Sequence, residues 1–110
     1  MSTAYKVLTS EQMESLLRDG EFSGAPIDLA DGYIHLSAAE QVTETVDKHF
    51  AGQTGLFVAA VDLTALGDAV KWEPSRGGQL FPHVYAVLPL SACTAHGPLA
   101  RDAYGAVLLP

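Results

Sequence analysis

The chain has 110 residues, of which 48% are hydrophobic and 17% are charged, which is the size and composition of one globular domain spanning residues 1–110. Thirteen acidic against six basic residues give a net charge of −7, so charge repulsion opposes binding to long nucleic acids and to anionic membranes. The single cysteine excludes an internal disulfide and a multi-cysteine metal site. The sequence has no signal-peptide pattern and no apolar run approaching the ~20 residues of a membrane span, and we expect a cytoplasmic protein.

The first half of the chain is predicted to contain two helices separated by a loop and a short strand. Apolar positions with helical spacing follow Thr9 and end at Gly20, which predicts a capped helix of about ten residues. Residues 20–32 are rich in Gly, Pro and Asp and are expected to form a loop that ends in a turn. Residues 33–36 follow as a short strand, and Ser37 is predicted to cap the second helix.

The second half of the chain is predicted to be rich in strands. Residues 56–61 are almost continuously apolar, so we expect the central strand of a sheet there. Residues 70–73 and 80–88 flank a Gly-containing turn and predict a hairpin. Pro82 has no backbone N–H and belongs at an edge, at a bulge or among the first residues of its strand. Early helices followed by clustered strands indicate an α+β domain.

Two histidines lie in the middle of predicted strands. The alternation of strand residues puts Tyr33, His35 and Ser37 on one face of the first strand, and His83 and Tyr85 on one face of the second. Aromatic and polar groups on one face are typical of a pocket wall. The competing interpretation is that each histidine is a hydrogen-bonded structural imidazole.

Glu73 is the candidate partner of His83. The predicted hairpin carries this carboxylate within reach of the imidazole, and a carboxylate that orients a histidine forms an acid/base unit. The alternative is a solvated charge at the end of a strand. Two histidines and one carboxylate also meet the ligand count of a metal site, but no local metal-ligand spacing is present, and we expect no metal.

Three segments carry a resemblance to a known family: Asp31-Gly32-Tyr33-Ile34-His35-Leu36-Ser37, Trp72-Glu73 and Phe81-Pro82-His83-Val84-Tyr85. They resemble a small bacterial domain-of-unknown-function family that is marked by a DG-[FY]-IHLS block and an FPH-x-Y block. The first segment is also distantly similar to a block of the ADP-ribosyltransferase-like superfamily. That similarity implies a small split antiparallel β-sheet with two flanking helices that binds NAD.

The distant resemblance also implies roles for individual residues. Tyr33 and His35 would line the nicotinamide-ribose side of the ligand, and His83 would lie near the position of the usual catalytic glutamate. The first strand of the superfamily often carries a histidine or an arginine, where this chain offers Lys6 as a substitute.

These observations lead to one preferred function and two alternatives. We expect an ADP-ribosyltransferase-like enzyme, active or degenerate, that acts on NAD or a phosphorylated nucleotide, with NAD as substrate and no certain cofactor. The expected catalytic residues are His83, His35 and Glu73, and the expected ligand-binding residues are Tyr33, Ser37, Trp72, Tyr85 and Lys6. The alternatives are a non-catalytic binding module that uses the same pocket, and a dimeric interaction domain. We expect a monomer or a weak homodimer.

Overall fold

Short helices and antiparallel strands alternate along the chain in the computed structural model, which describes residues 2–110 except for the side chain of Arg76. The α-helices are α1 (Ser10–Asp19), α2 (Pro26–Asp31), α3 (Val42–His49) and α4 (Leu63–Leu66). The strands are β1 (Thr3–Leu8), β2 (Glu21–Phe22), β3 (Ile34–His35), β4 (Phe57–Asp62), β5 (Val70–Pro74), β6 (Leu80–Val84), β7 (Leu88–Pro89) and β8 (Cys93–Pro98). The predicted α+β class is therefore confirmed.

Helix α1 begins and ends as predicted. The side chain of Thr9 accepts the N–H of Gln12 at 3.2 Å, and the Gln12 side chain accepts the N–H of Thr9 at 2.9 Å. Gly20 ends the helix in the left-handed conformation at φ 74°, where a side chain would be strained. Reciprocal capping satisfies N–H groups that the first helical turn leaves without partners.

The largest sheet has the order β1-β4-β8 and is antiparallel throughout. Its central strand is β4, as the apolar run of residues 56–61 predicted. Helix α1 packs on one face through Met13 and Leu16, and helix α3 packs on the other through Val42 and Val46. Because both faces of β4 are covered, nearly every residue of that strand is apolar.

A second antiparallel sheet has the order β3-β6-β5 and carries the predicted hairpin β5-β6. The second strand of the hairpin ends at Val84, because Leu88 turns away to pair with Phe22 of β2. Ile34 and Val84 point to the core, which leaves the neighbouring His35 and His83 on the opposite face.

Pro82 is the third residue of β6, the central strand of this sheet, so of the three expected positions the edge and the bulge were wrong. Its carbonyl accepts the N–H of Leu36 at 3.0 Å, so the N–H that proline lacks would also have pointed toward β3. Strand β3 ends at His35, one residue before this point. The backbone N–H that Pro82 lacks therefore falls where the pairing between β3 and β6 ends.

The loop predicted for residues 20–32 was wrong, because this segment contains β2 and α2. Pro26 occupies the start of α2, and Gly32 ends it in the left-handed conformation at φ 86°. A fixed φ at the first helical position and a glycine after the last one are helix-terminus signals that the Gly- and Asp-rich composition obscured.

The predicted capping role of Ser37 was also wrong. A short 3-10 helix, Ala39–Gln41, precedes α3, and Ala38 stands at its N-cap, where the Gln41 side chain accepts the Ala38 N–H at 2.9 Å. Ser37 instead pairs its backbone with Tyr5 of β1, through hydrogen bonds of 2.8 and 2.9 Å. This pairing connects the segment after β3 to the largest sheet. None of the helices in the described part of the chain is long and apolar enough to cross a membrane.

Candidate functional site

His35 and His83 are directly opposite each other on the antiparallel strands β3 and β6. Their ring centroids are 5.4 Å apart, with the rings nearly perpendicular at 70°. Tyr33 stacks on the ring of His83 at 4.1 Å and 27°, and lies 4.7 Å from the ring of His35. The structure thus brings together three of the residues that the sequence singled out.

Glu73 contacts His83 as the predicted hairpin implied. Glu73 Oε1 lies 2.8 Å from His83 Nδ1 and also accepts a hydrogen bond from the Tyr85 hydroxyl at 2.7 Å. The ring of Tyr85 lies 5.2 Å from that of Tyr33. His83 is buried, whereas the carboxylate and Tyr85 are partly exposed, so the His83–Glu73–Tyr85 group connects the interior with the surface.

Among the residues that the structure describes, one nitrogen of His83 has no hydrogen-bond partner. A carboxylate beside Nδ1 requires the proton on that nitrogen, which leaves Nε2 to accept a hydrogen bond in the neutral imidazole. Within the described residues Nε2 is buried and makes no hydrogen bond. An unsatisfied buried acceptor costs about 1–3 kcal/mol, and such atoms occur often at functional positions.

The hydrogen bonds of Glu73 shift the pKa values of the partly exposed groups away from neutral pH. The hydrogen bond from Tyr85, followed by that from His83, lowers the pKa of Glu73. The hydrogen bond to Glu73, assisted by its charge and by burial, raises the pKa of Tyr85 to about 12. Near neutral pH, Glu73 is therefore a carboxylate and Tyr85 is a hydrogen-bond donor.

His35 differs from His83 because carboxylates occupy both of its nitrogens. Its Nδ1 lies 2.6 Å from Asp28 Oδ1, and its Nε2 lies 2.9 Å from Asp31 Oδ2. Only the imidazolium carries N–H on both nitrogens, so only that form makes both hydrogen bonds at once. In this arrangement neither nitrogen of His35 is free to contact a ligand.

Asp28 is the buried centre of the contacts around His35. It accepts hydrogen bonds from the backbone N–H groups of Ala25 at 2.8 Å and His35 at 3.1 Å. Burial alone raises the pKa of Asp28, but the hydrogen bond from His35, the charge of Lys6 and these backbone groups outweigh it and lower the pKa to about 2. Asp28 is therefore ionised throughout the physiological pH range.

Lys6 gives all of its hydrogen bonds to this network. Its Nζ donates to the two carboxylate oxygens of Asp28 at 3.0 and 3.2 Å and to the carbonyl of His35 at 3.0 Å. Burial lowers the pKa of Lys6, an effect that the charge of Asp28 opposes. Because an ammonium has three N–H donors, a ligand would have to displace one of these contacts to reach Lys6.

The side chain of Ser37 contacts α3, and that of Trp72 lies on the other face of the sheet from His83. The buried hydroxyl of Ser37 is 2.9 Å from the hydroxyl of Thr45 on α3. Trp72 precedes Glu73 on β5, so strand alternation puts its half-exposed ring on the opposite face of the sheet.

Sequence reasoning missed Asp28 and Asp31, the two carboxylates that hold His35. A local signal was present, since Pro26, Asp28 and Gly32 fit the first turn and the end of a short helix. The pairing of Asp28 with Lys6 spans 22 residues of sequence, and no local pattern reports such a contact.

Other parts of the surface contain clefts without these residues. A cleft of about 470 Å³ is lined by Glu40, Gln41, Glu44, Gln79 and Leu80. A second cleft of about 360 Å³ lies between α1 and the segment before α2. Across residues 2–110 no group of three or more His, Cys, Asp or Glu side chains is arranged to hold a metal ion.

Comparisons with known proteins identify the chain's relatives. Residues 7–96 match the model of a family described as "Protein of unknown function (DUF952)". The X-ray structure of protein CC0527 from Caulobacter crescentus is 44% identical, with a TM-score of 0.88 over 97% of this chain and 94% of that chain. The solution NMR structure of CC0527 is 46% identical, with a TM-score of 0.81 over 97% of this chain and 91% of that chain. A comparison with curated proteins gives no match.

Proposed function

Because this chain belongs to the DUF952 family of proteins of unknown function, its activity has to be inferred from the site, and we propose an enzyme that acts on NAD or a related phosphorylated nucleotide. The observation that carries the proposal is the pairing of His83 with Glu73 beside a second histidine and two tyrosines. A carboxylate that orients an imidazole and leaves its other nitrogen unbound is the arrangement that general acid/base catalysis uses.

In the proposed reaction, an ADP-ribosyl group moves from NAD to an acceptor hydroxyl. The bond between ribose C1′ and the nicotinamide nitrogen breaks, and its electron pair leaves with nicotinamide. The acceptor oxygen bonds to C1′ and gives its proton to His83 Nε2. Glu73 orients His83 and stabilises the positive charge that develops on the ribose.

The remaining residues have supporting roles in this proposal. Tyr33 and Tyr85 provide aromatic surface for the ligand, and His35 with Asp28 and Asp31 holds β3 in position beneath Tyr33. The resemblance implied that Lys6 contacts NAD. In this proposal Lys6 instead neutralises the charge of Asp28. Contact of the ligand with Ser37 and with Trp72 stays a prediction that the positions of these two side chains do not support. The small antiparallel sheets support the proposed likeness to the ADP-ribosyltransferase-like fold.

A binding module without catalysis is the second candidate, and one observation favours it. His83 Nε2 is buried, so catalysis requires a movement that exposes this nitrogen to the substrate. Recognition of a ligand by Tyr33, Tyr85 and Glu73 requires no such movement.

We also propose that the protein works in the cytoplasm as a monomer or a weak homodimer. At the open edge of β5, Pro74 has no N–H, and the N–H of Val70 donates to the carbonyl of Gly67. Few donors are left for pairing with a second copy, which opposes dimerisation through this edge. Sedimentation at high concentration tests this point, and a tight dimer would contradict it.

Titration of the protein with NAD and with ADP-ribose tests both candidate functions. We expect the imidazole NMR signals of His83 to move on addition of nucleotide while those of the exposed His96 stay unchanged. Release of nicotinamide, measured by chromatography, separates the enzyme from the binding module. His83→Ala abolishes turnover in the first case and only weakens binding in the second, with His96→Ala as the control. If nucleotide at millimolar concentration moves no signal of His83, both proposals are wrong.

A further inference from the structure

The hydroxyl of Tyr85 and the imidazole of His83 share one acceptor atom. Glu73 Oε1 accepts a hydrogen bond from the hydroxyl at 2.7 Å and lies 2.8 Å from His83 Nδ1. Two donors that meet at one oxygen restrict the position of that oxygen more than either donor does alone. Without the hydroxyl, a single hydrogen bond to His83 would compete with water for the carboxylate.

The strand register explains how the tyrosine reaches this carboxylate. Glu73 is opposite Phe81 on the hairpin, one step along the same face from His83. Tyr85 follows two residues after His83, and its N–H donates to the carbonyl of Ala69 at 2.8 Å, which extends the pairing past the end of β6. Glu73 and Tyr85 therefore approach the buried imidazole from opposite directions along the strand.

Tyr85 is better fixed in place than the carboxylate that it contacts. Its backbone is bonded to Ala69, and its ring lies 5.2 Å from the ring of Tyr33 and 5.5 Å from Nζ of Lys71. The side chain of Glu73 is 37% exposed, and a glutamate has several freely rotating bonds to order. The tyrosine is thus the rigid member of the pair, and Glu73 is the member that needs a second contact.

The position of Glu73 decides which nitrogen of His83 carries the proton. A neutral imidazole has one N–H, and its tautomer is set by the hydrogen bonds of the two nitrogens. A carboxylate beside Nδ1 accepts only, so it favours the proton on Nδ1 and leaves Nε2 as an acceptor. If Glu73 turned to solvent, the proton could move to Nε2, and a protonated Nε2 cannot take a proton from a substrate hydroxyl.

We propose that Tyr85 is a positioning residue whose hydroxyl holds Glu73 against His83 and so keeps the imidazole proton on Nδ1. Its importance for catalysis rests on the proposed function, in which Nε2 is the base. The role belongs to the hydroxyl and is additional to the aromatic surface of the ring, which a phenylalanine would keep.

Nitrogen NMR of the imidazole of His83 tests this inference on the full chain without any ligand. The pH is chosen so that the imidazole is neutral while Tyr85, with a pKa of about 12, is still protonated. We expect the wild type to show a protonated Nδ1 and an unprotonated Nε2. In Tyr85→Phe the two resonances should move toward each other as the second tautomer becomes populated. Tyr104→Phe removes the hydroxyl of a tyrosine that is 96% exposed and leaves both resonances unchanged.

Two results of this experiment would overturn the positioning role. One is a wild type that carries its proton on Nε2, and the other is a Tyr85→Phe variant whose His83 resonances do not move.

A double-mutant cycle shows whether Tyr85 acts through Glu73. Glu73→Ala removes the carboxylate, and we expect it to shift the His83 resonances in the same direction as Tyr85→Phe. Adding Tyr85→Phe to Glu73→Ala should cause no further shift, because the hydroxyl then has no carboxylate to hold. Additive shifts would mean that Tyr85 affects His83 directly, and they would overturn the proposal, as would a Glu73→Ala variant with unchanged resonances.

Kinetics separates this inference from the proposed function. If the wild type releases nicotinamide from NAD, we expect Tyr85→Phe to lower kcat about tenfold or more and to change KM for NAD less than about twofold. Shifted resonances with an unchanged kcat would overturn the role of Tyr85 in catalysis. Shifted resonances in a protein that neither binds nor cleaves NAD would support the positioning of Glu73 and overturn the proposed function. Unshifted resonances in a protein that cleaves NAD would do the reverse.

Discussion

His35 and His83 occupy facing positions on neighbouring strands, yet their surroundings differ in every respect that matters for function. Both nitrogens of His35 contact carboxylates, one of which is buried and paired with Lys6. His83 has one nitrogen on Glu73 and the other without a partner among the described residues. A fully hydrogen-bonded histidine stabilises the fold, whereas a histidine with an unused nitrogen is the one available for chemistry.

The acidic partners show the same contrast. Asp28 is buried, receives several hydrogen bonds and has a pKa of about 2. Glu73 is partly exposed and holds the hydroxyl of Tyr85 at the surface. We therefore assign the Lys6–Asp28–His35 side to stability and the His83–Glu73–Tyr85 side to ligand binding.

The largest expected effect on stability comes from removing the charge of Asp28 on the Lys6–Asp28–His35 side. Asp28→Asn leaves the buried ammonium of Lys6 without its counter-charge, so we expect a loss of about 3 kcal/mol in the free energy of unfolding. Urea denaturation measures this loss. Asp31→Asn, a matched change at a more exposed carboxylate, is expected to cost less than about 1 kcal/mol. Similar losses for the two variants would contradict the assignment.

The pH dependence of stability tests the same carboxylate without a large structural change. The pKa of Asp28 is lowered from 3.8 to about 2 on folding, so its stabilisation is present above pH 3.8 and disappears as the pH falls toward 2. This corresponds to about 2 kcal/mol. Urea denaturation between about pH 5 and pH 2 should show a loss larger by that amount in the wild type than in Asp28→Asn. If the free energy of unfolding falls equally with pH in the wild type and in Asp28→Asn, Asp28 is not responsible for the loss of stability in acid.

A smaller effect is expected at Gly24, which lies beside the side chain of the buried Asp28. Its φ is +131°, and an added Cβ would lie 3.0 Å from the Cβ of Asp28. We expect Gly24→Ala to lower the free energy of unfolding by about 2 kcal/mol, through strain and displacement of Asp28. Gly52→Ala is the control, because its φ of +76° also disfavours alanine but its surroundings are open. The difference between the two variants isolates the contact with Asp28, and equal losses would rule it out.

On the exposed side we expect a change in titration rather than in stability. Glu73→Gln replaces the charged acceptor of the Tyr85 hydroxyl with a neutral one and so weakens the hydrogen bond that raises the pKa of Tyr85, which should fall from about 12 toward its ordinary value of 10.0. NMR titration of the tyrosine ring carbons measures the shift, with Glu14→Gln as the control. A Tyr85 pKa that does not respond would mean that the hydrogen bond to Glu73 is absent in solution.

The sequence predicted the exposed side of the site better than the buried side. Glu73 and His83 lie on one hairpin, whose turn and alternating strands are local patterns, and their contact follows from the register. The capped helix α1 and the central strand β4 were predictable for the same reason.

The buried side depends on contacts between distant segments. Lys6 and Asp28 are 22 residues apart, and each has an ordinary local context. Ser37 shows the opposite failure: a good capping pattern was present, but pairing with Tyr5 on β1 moved the start of the helix to the following residues. Tertiary pairing outweighed local propensity at that point.

The most direct test of the division between the two histidines is to measure stability and NAD affinity together for His35→Ala and His83→Ala. We predict that His35→Ala lowers the free energy of unfolding by about 2 kcal/mol or more, because it leaves Asp28 short of hydrogen bonds. We predict that His83→Ala abolishes turnover or weakens the binding of NAD at least about tenfold, and that His35→Ala does neither. The reverse pattern, with His35→Ala weakening the binding of NAD and His83→Ala leaving it intact, would contradict the account.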